Sequence, residues 1–498
     1  MPEHFDLLII GAGLSGIGAG YHVQTACPRT SYAILEARES IGGTWDLFRY
    51  PGIRSDSDMY TLGYPFRPWT AGKAIADGPS ILQYVRDTAR EFGIEQHIRF
   101  QHKVVKVNWS NEEDHWKVDV LVGPAQQLQQ YTCRFLYLCA GYYDYDAGYS
   151  PEFPGRERYQ GQVVHPQKWT SVIEYANKQV VVIGSGATAV TLVPEMAKTA
   201  AKVTMLQRSP TYVVSLPTVD KTATRLQRWL PARTAFSLSR WKNVLLSMLQ
   251  YQLARRSPKT MKWLLHQGVK AELGKDYDLK HFTPAYNPWD QRLCVVPDAD
   301  LFRSIKAGKV EVVTDQIDTF TETGIRLKSG RELPADLIVT ATGLQLKLMG
   351  GMQLEIDGKP VPVPQSHVYK GMMLSNVPNL AFAVGYTNAS WTLKADLSSQ
   401  YFCRLMKYMK REGYSRCMPC VKGDMQDEPL INFNSSYVLR SLEGLPKQGT
   451  RPPWKLYQNY LLDLMTLKYR SVTNSMEFKR STSAASVSGS ASTVAAHR

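Results

Sequence analysis

The sequence predicts an α/β protein built around two copies of one strand–turn–helix unit, on three observations. Phe5-Asp-Leu-Leu-Ile-Ile10 is a short apolar run that leads into Gly11-Ala-Gly13-Leu-Ser-Gly16 and a helix-like stretch to about Gln24. Gln179-Val-Val-Val-Ile183 leads in the same way into Gly184-Ser-Gly186-Ala-Thr-Ala189 and a helical pattern to about Lys198. Two more runs, Phe135-Leu-Tyr-Leu-Cys-Ala-Gly141 and Asp336-Leu-Ile-Val-Thr-Ala-Thr-Gly343, also end in small-residue turns. Apolar, β-branched runs that stop at glycine are the pattern of parallel strands buried on both faces. Each glycine turn that follows a strand and opens a helix reads as a Rossmann-type dinucleotide-binding domain.

In the first unit the backbone N–H groups at the helix start point at a pyrophosphate. Gly11 makes the turn, Gly13 permits close approach of the phosphate, and Gly16 lets helix and strand pack. Twenty residues past Gly16, Glu36 ends the strand Tyr32-Ala-Ile-Leu35. A carboxylate there accepts hydrogen bonds from ribose hydroxyls and repels a 2′-phosphate, which selects FAD or NAD over NADP. Gly42-Gly43-Thr44-Trp45 adds flexible backbone and a flat aromatic. Tyr50-Pro51-Gly52 forces a turn ahead of Arg54 and Asp56. This cluster is expected at the far end of the same cofactor.

The second unit ends in Ala189, an accepted variant of the third glycine. Its next strand, Lys202-Val-Thr-Met-Leu206, runs into Gln207-Arg208-Ser209. An arginine stands where the first unit has its acid. A guanidinium pairs bidentately with a 2′-phosphate, so this unit reads as the NADPH site.

At 498 residues the chain is long enough for two to three domains. Residues 1–145 read as the first part of an FAD domain and 146–178 as a linker. Residues 179–335 read as an NADPH domain carrying a helical insertion over about 211–290. Residues 336–480 read as the second part of the FAD domain. The serine-rich tail, 481–498, has no aromatic residue and is expected to be disordered.

In the insertion Trp241, Val244, Leu245, Met248 and Leu249 fall at the i, i+3, i+4, i+7, i+8 spacing of one helical face. The net charge is +15, and much of it is local: Lys221 to Lys275 holds twelve Lys or Arg against one acid, Glu272. A membrane-surface helix has this pattern. So does a helix packed on its own domain, which is the reading favoured. Finger spacing and RNA-binding aromatic signatures are absent, so no nucleic-acid partner is expected.

The seven cysteines are scattered and odd in number, as in a reducing cytosol. Cys417 and Cys420 form a lone CxxC, too little for a metal site, and no metal is expected. The apolar run from Leu7 has no basic residue before Arg29 and does not read as an export signal. Val180 to Pro194 is too short to span a bilayer. The chain is therefore expected to be cytoplasmic, with peripheral membrane attachment through the basic insertion as the variant. Oligomeric state is not legible.

The linker holds Tyr159-Gln-Gly161-Gln-Val-Val-His165-Pro-Gln-Lys-Trp169-Thr, with Gly161, His165 and Trp169 four apart. On physical grounds this is a hinge between nucleotide domains with a few polar anchors. The pattern also resembles the fingerprint of type I Baeyer–Villiger flavoprotein monooxygenases, F-x-G-x-x-x-H-x-x-x-W-(P/D). Glycine, histidine and tryptophan match; Tyr159 and Thr170 depart from it at the flanks. The resemblance extends from about Phe5 to about Tyr460, with Gly43 to Asp56, Asn287 to Cys294 and Gly385 to Thr392 as specific stretches.

The resemblance implies that NADPH reduces FAD and that reduced FAD takes up O2 as a C4a-peroxyflavin. The peroxide then attacks a small apolar ketone to give an ester or lactone, or oxidises a sulfide or thioamide. It assigns Arg292 as the active-site cation and Asp56 as its orienting partner near the flavin. It places Ser15, Glu36, Thr44, Trp45, Asp46, Leu47, Asp56 and Val104 on FAD. It places Arg54, Ser55, Asp56, Ile183, Gly184, Ser185, Gly186, Ala187, Thr188, Ala189, Gln207 and Arg208 on NADPH. Trp391 is a lid or a nicotinamide neighbour, with core packing the other reading. The competing classes are a monooxygenase acting mainly on nitrogen or sulfur, a flavin disulfide reductase and a membrane-surface binding protein. The reductase is disfavoured because the segment 42–45 has no cysteine.

Overall fold

The computed structural model describes residues 2–431 and 435–480. The serine-rich tail lies outside the described residues. Strand β1 (Glu3–Ile10) runs into helix α1 (Leu14–Ala26) and out to β2 (Tyr32–Leu35). Then come β3 (Ile98–Arg99), β4 (His102–Ser110), β5 (His115–Val122) and β6 (Gln127–Leu138). β1 lies parallel between β2 and β6, with Ile10 opposite both Leu35 and Leu138. β4, β5 and β6 form an antiparallel meander on the far side. Leu7, Leu8 and Ile9 are fully buried, so β1 is covered on both faces and its apolar run does not alternate. Each such side chain contributes about 1.5–3 kcal/mol.

The chain then crosses to a second sheet. This holds β7 (Gln162–Val164), β8 (Gln179–Ile183), helix α2 (Ala187–Met196) and β9 (Lys202–Gln207). A strand β10 (Val213–Leu216) leads into three helices, α3 (Lys221–Trp229), α4 (Ala232–Arg256) and α5 (Pro258–Leu273). β11 (Cys294–Pro297) lies parallel to β10. β12 (Val310–Thr314) and β13 (Leu337–Thr340) complete a five-stranded parallel sheet of order β12-β9-β8-β13-β7. The chain then returns. β14 (Gln353–Ile356) pairs with β4, β15 (Leu380–Phe382) pairs with β6, and α6 (Trp391–Glu412) packs against α1.

Three expectations are corrected. Leu337–Thr340, read as opening the second FAD segment, lies in the second sheet between β8 and β7. Gln162–Val164, read as linker, is the edge strand of that sheet. A four-residue apolar run reads alike in either sheet, because pairing over more than a hundred residues leaves no local mark. The stretch from Thr211, read as helical throughout, opens with β10, whose partner β11 lies beyond the helices.

Helix α4 has two apolar sides. Phe236, Ser239, Arg240 and Val244 are buried. The Arg240 guanidinium donates to the carbonyls of Tyr60 at 2.8 Å and Gly63 at 2.8 Å, which seats the insertion on the first domain. Of the apolar face read from the sequence, Val244 is buried and Met248 half-buried, both packed with Tyr386 or its neighbours. Trp241, Leu245 and Leu249 are 40%, 51% and 65% exposed. The helix thus packs on its own chain through one side and leaves a second apolar stripe uncovered.

Candidate active site and cofactor cavity

The two glycine loops are built alike. Gly11 and Gly184 have φ of +103° and +141°, a range that favours glycine. A Cβ on Gly16 would lie 1.9 Å from the Gly11 carbonyl oxygen, so helix α1 presses onto its own turn. A Cβ on Gly13 would meet nothing nearer than 3.6 Å, and one on Gly186 nothing within 4 Å. Neither helix start has a capping side chain or an acid in its first turn. Uncapped N–H groups over an open cradle fit a pyrophosphate at both places.

Beside the first loop lies a cavity of about 500 Å³. Gly11, Gly13, Ser15, Glu36, Thr44, Trp45, Arg54, Ser55, Asp56, Val104 and Arg292 all line it. Glu36 is buried, and its carboxylate accepts from Ala12 N at 2.7 Å and Arg38 N at 2.9 Å. Burial pushes its pKa up, while those two N–H groups and Arg38 oppose the rise. The acceptor read from the sequence is therefore at the cradle and fixed in place.

Asp46 and Leu47, expected beside FAD, line no part of this cavity. The Asp46 carboxylate is buried among guanidinium groups instead: Arg38 at 2.7 Å, Arg86 at 3.2 Å and Arg49 at 3.3 Å. It holds the 42–47 turn from behind. Three basic partners spaced across fifty residues could not be read from its local sequence.

Arg54 also lines the cavity, yet its guanidinium is committed to Asp300 at 2.7 Å and to the Val190 carbonyl at 3.4 Å. It ties the first domain to α2 and to the helix that starts at Asp300. A Cβ on Gly52 would come 2.9 Å from Glu195 Cβ, so the Tyr50-Pro51-Gly52 turn sits directly on α2. Arg292 lies just before β11, with Nε 4.0 Å from Asp56 Oδ2. The pair expected from the resemblance is thus together on the cavity wall.

The second loop, Ile183 to Ala189, lines no part of this cavity. Arg208 is exposed at the end of β9. Gln207 is buried and turned inward, donating to the His281 carbonyl and to Thr314 Oγ1, each at 2.8 Å. Of the two residues placed on NADPH at this strand end, only Arg208 faces outward.

The linker residues hold the joint rather than the cavity. The His165 ring meets the Gly343 carbonyl through Nε2 at 3.1 Å and accepts from Gln167 N through Nδ1 at 3.2 Å. This fixes a neutral ring with its proton on Nε2. Burial and Lys168 lower its pKa, while the Gly343 carbonyl opposes them. A Cβ on Gly148 would lie 2.0 Å from that ring, so both crossings between the sheets meet at His165. Trp169 is buried with Ile173 and Val180 in the second core. Gly161 leaves room for Tyr159, whose hydroxyl donates to the Ala335 carbonyl at 2.9 Å.

Sequence reasoning missed Tyr142, Tyr145 and Lys347, all on the cavity wall. Tyr142 stacks on Trp391 with centroids 5.1 Å apart. The Lys347 ammonium bridges Asp144 at 3.2 Å and Asp146 at 3.0 Å. The signal available was the Ala140-Gly141 turn, which brings the next residues to the cofactor. Trp391 donates to Ser15 Oγ at 2.7 Å, above the start of α1. Arg292, Tyr142 and Trp391 also line a second pocket, whose other walls include Leu346, Leu348, Val368, Phe382 and Val384. Of the seven cysteines only Cys139 lines the cofactor cavity, so no thiol pair reaches it.

Residues 74–350 match the family described as flavin-binding monooxygenase-like, and residues 9–76 match an NAD(P)-binding Rossmann-like domain. The chain is 56% identical over 471 residues to the FAD-containing monooxygenase EthA of Mycobacterium tuberculosis, covering 94% of this chain and 96% of that protein. It is 51% identical over 476 residues to the putative FAD-containing monooxygenase MymA of the same species, at 94% and 96% coverage. The solved structure of cyclohexanone monooxygenase from Rhodococcus sp. Phi1, bound to NADP+, shares the fold at a TM-score of 0.71 and 18% identity, over 97% of this chain and 100% of that one. The chain belongs to the flavin-binding monooxygenase-like family. It is a flavoprotein monooxygenase of the two-dinucleotide-domain kind.

Proposed function

We propose that this enzyme uses FAD and NADPH to insert one oxygen atom from O2 into small apolar ketones, giving esters or lactones, and to oxidise sulfides and thioamides. When bound, FAD reduced by NADPH supplies the oxygen-activating chemistry. The carrying observation is the position of Arg292 on the walls of both the cofactor cavity and the apolar pocket. Oxygen transfer to a carbonyl builds negative charge, and a guanidinium stays protonated beside it. Asp56, 4.0 Å away, orients that guanidinium. The mainly apolar lining of the second pocket beside Arg292 suits an uncharged carbonyl or sulfide.

Arg292→Ala tests this. Flavin reduction by NADPH persists, while oxygenation falls by the ~2.7–4 kcal/mol that one such donor contributes, on the order of a hundred- to a thousandfold. Full oxygenation by the variant removes the role. A ketone and a sulfide in competition, with products identified by mass, separate this reading from a monooxygenase acting mainly on nitrogen or sulfur.

A second reading concerns the enzyme's place: peripheral attachment to an anionic membrane surface. The uncovered α4 stripe supports it, with Leu238, Trp241, Leu245 and Leu249 exposed along one side. Arg225, Arg228 and Arg233 precede it in sequence and Arg256 and Lys259 follow it, all exposed. Among the described residues no helix is long and apolar enough to cross a membrane. An apolar stripe with cations on the flanking helix ends binds anionic lipid and releases at high salt. The holoenzyme is expected to co-sediment with anionic vesicles at low salt, and Leu245→Glu/Leu249→Glu to stay in solution. Equal sedimentation of the two proteins overturns this part.

A further inference from the structure

The mainly apolar pocket beside Arg292 carries an ion pair in its wall. Lys394 on α6 and Asp463 face each other there, Nζ to Oδ2, at 2.8 Å. Their side chains are only 6% and 10% exposed. The same carboxylate oxygen accepts from the Tyr386 hydroxyl at 2.7 Å, and Tyr386 lines the pocket too. A buried ion pair is costly to desolvate, and well-packed apolar residues in its place are often neutral or stabilising. Its presence in a pocket lined mainly by aliphatic and aromatic side chains points to a use beyond packing.

The surroundings narrow that use. An ammonium carries three N–H donors, and among the described residues Asp463 is the one acid paired with Lys394. Gly371, with φ of +73°, stands against it, and a Cβ there would lie 3.3 Å from Nζ. The glycine leaves the ammonium its space in the pocket. Nearby Lys370 is buried, and that burial, with Arg404, Arg470 and Lys394 around it, pushes its pKa down to about 7. Lys370 thus gives up part of its own charge, while Arg404 and Arg470 keep that side of Lys394 positive, which favours an anion over a neutral acceptor.

We propose that the Lys394–Asp463 wall is a second recognition site in the substrate pocket, binding a carboxylate that the substrate carries at a distance from the carbon oxidised beside Arg292. The preferred substrate class is then a short apolar chain with a ketone along it and a carboxylate at one end, since the pocket itself holds only about 70 Å³. This rests on the reading of the pocket as the substrate's. Lys394 is a specificity residue here and takes no part in oxygen transfer.

The test compares two straight-chain ketones of equal length on the FAD-loaded full chain, one ending in methyl and one in carboxylate. The wild type is expected to favour the oxo acid. Lys394→Met should raise the oxo-acid KM about ten- to a hundredfold, the scale of a hydrogen bond to a charged group, with both kcat values and the plain-ketone KM nearly unchanged. Lys394→Arg should restore most of the preference. Because Lys394→Met strands a buried carboxylate, Lys394→Met/Asp463→Leu removes both charges and should lose the preference equally. A matched effect on both ketones, or no preference in the wild type, overturns the proposal. A separate arm needs no turnover: a saturated fatty acid of the same length is titrated against the flavin absorbance. Lys394→Met should weaken that binding at least tenfold, and unchanged binding overturns the site. Tight, Lys394-dependent binding without oxygenation of either ketone upholds the site and overturns the reaction.

Discussion

The two glycine loops share a backbone and differ in everything around it. Each begins with a glycine at positive φ and opens an uncapped helix. The first is the floor of a cavity, with Glu36 buried and tied to the loop through Ala12. The second is open, with Gly186 and Arg208 exposed. The cradle is common to both loops, and what differs is the end of the second strand. We propose that the buried carboxylate at one strand end and the exposed guanidinium at the other separate two dinucleotides that the loops alone would hold alike.

The third position of each loop offers the sharpest break. Gly16 has no room for a methyl group, since its Cβ would sit 1.9 Å from a backbone oxygen. Ala189 already carries one and is fully buried. Gly16→Ala is expected to leave the protein without flavin, read as lost yellow absorbance in soluble protein or as lost solubility. The mirror change, Ala189→Gly, should cost only about 1–2 kcal/mol of stability, the helix propensity difference plus one buried methyl group. A fully yellow Gly16→Ala protein would show that the two loops are not packed differently after all.

The second contrast is electrostatic and smaller. Arg208→Ala should raise the NADPH KM about ten- to a hundredfold, the ~1.5–3 kcal/mol of a charged hydrogen bond, with NADH nearly unaffected. Glu36→Ala should leave that ratio alone and weaken flavin retention instead. An NADPH/NADH ratio untouched by Arg208→Ala would mean that the strand-end charge does not choose the dinucleotide.

What was legible follows from the range of the interactions. The positions of both glycine loops, and of Glu36 and Arg208 at the strand ends, were readable because each signal lies within a few dozen residues of a strand. The sheet that Leu337–Thr340 joins was not, because β8 and β7 are more than 150 residues away. Asp46 was placed on FAD by the family resemblance, and the guanidinium of Arg86 that helps to turn it away lies forty residues on. Lys394 and Asp463 gave no signal, being an ordinary lysine and aspartate until α6 and the segment around 460 bring them together. Arg292 was one arginine among many until the family resemblance singled it out.

The smallest expected effect lies between the two loops, at the joint held by His165. Its folded pKa is lowered, chiefly by burial, below the ordinary value near 6.5. In the window between the folded value and about 6.5 the unfolded chain binds more protons than the folded one. The contribution of His165 to stability is therefore complete above that window and lost as pH falls through it. Protonation also ends the Gln167 N–H contact, because Nδ1 can no longer accept. His165→Gln keeps an amide donor for the Gly343 carbonyl and cannot titrate. The melting temperature of the wild type should exceed that of the variant at about pH 7.5 and the gap should narrow toward about pH 5.5. A gap that stays constant would mean that the histidine holds the joint by shape alone, and that neither loop depends on its charge state.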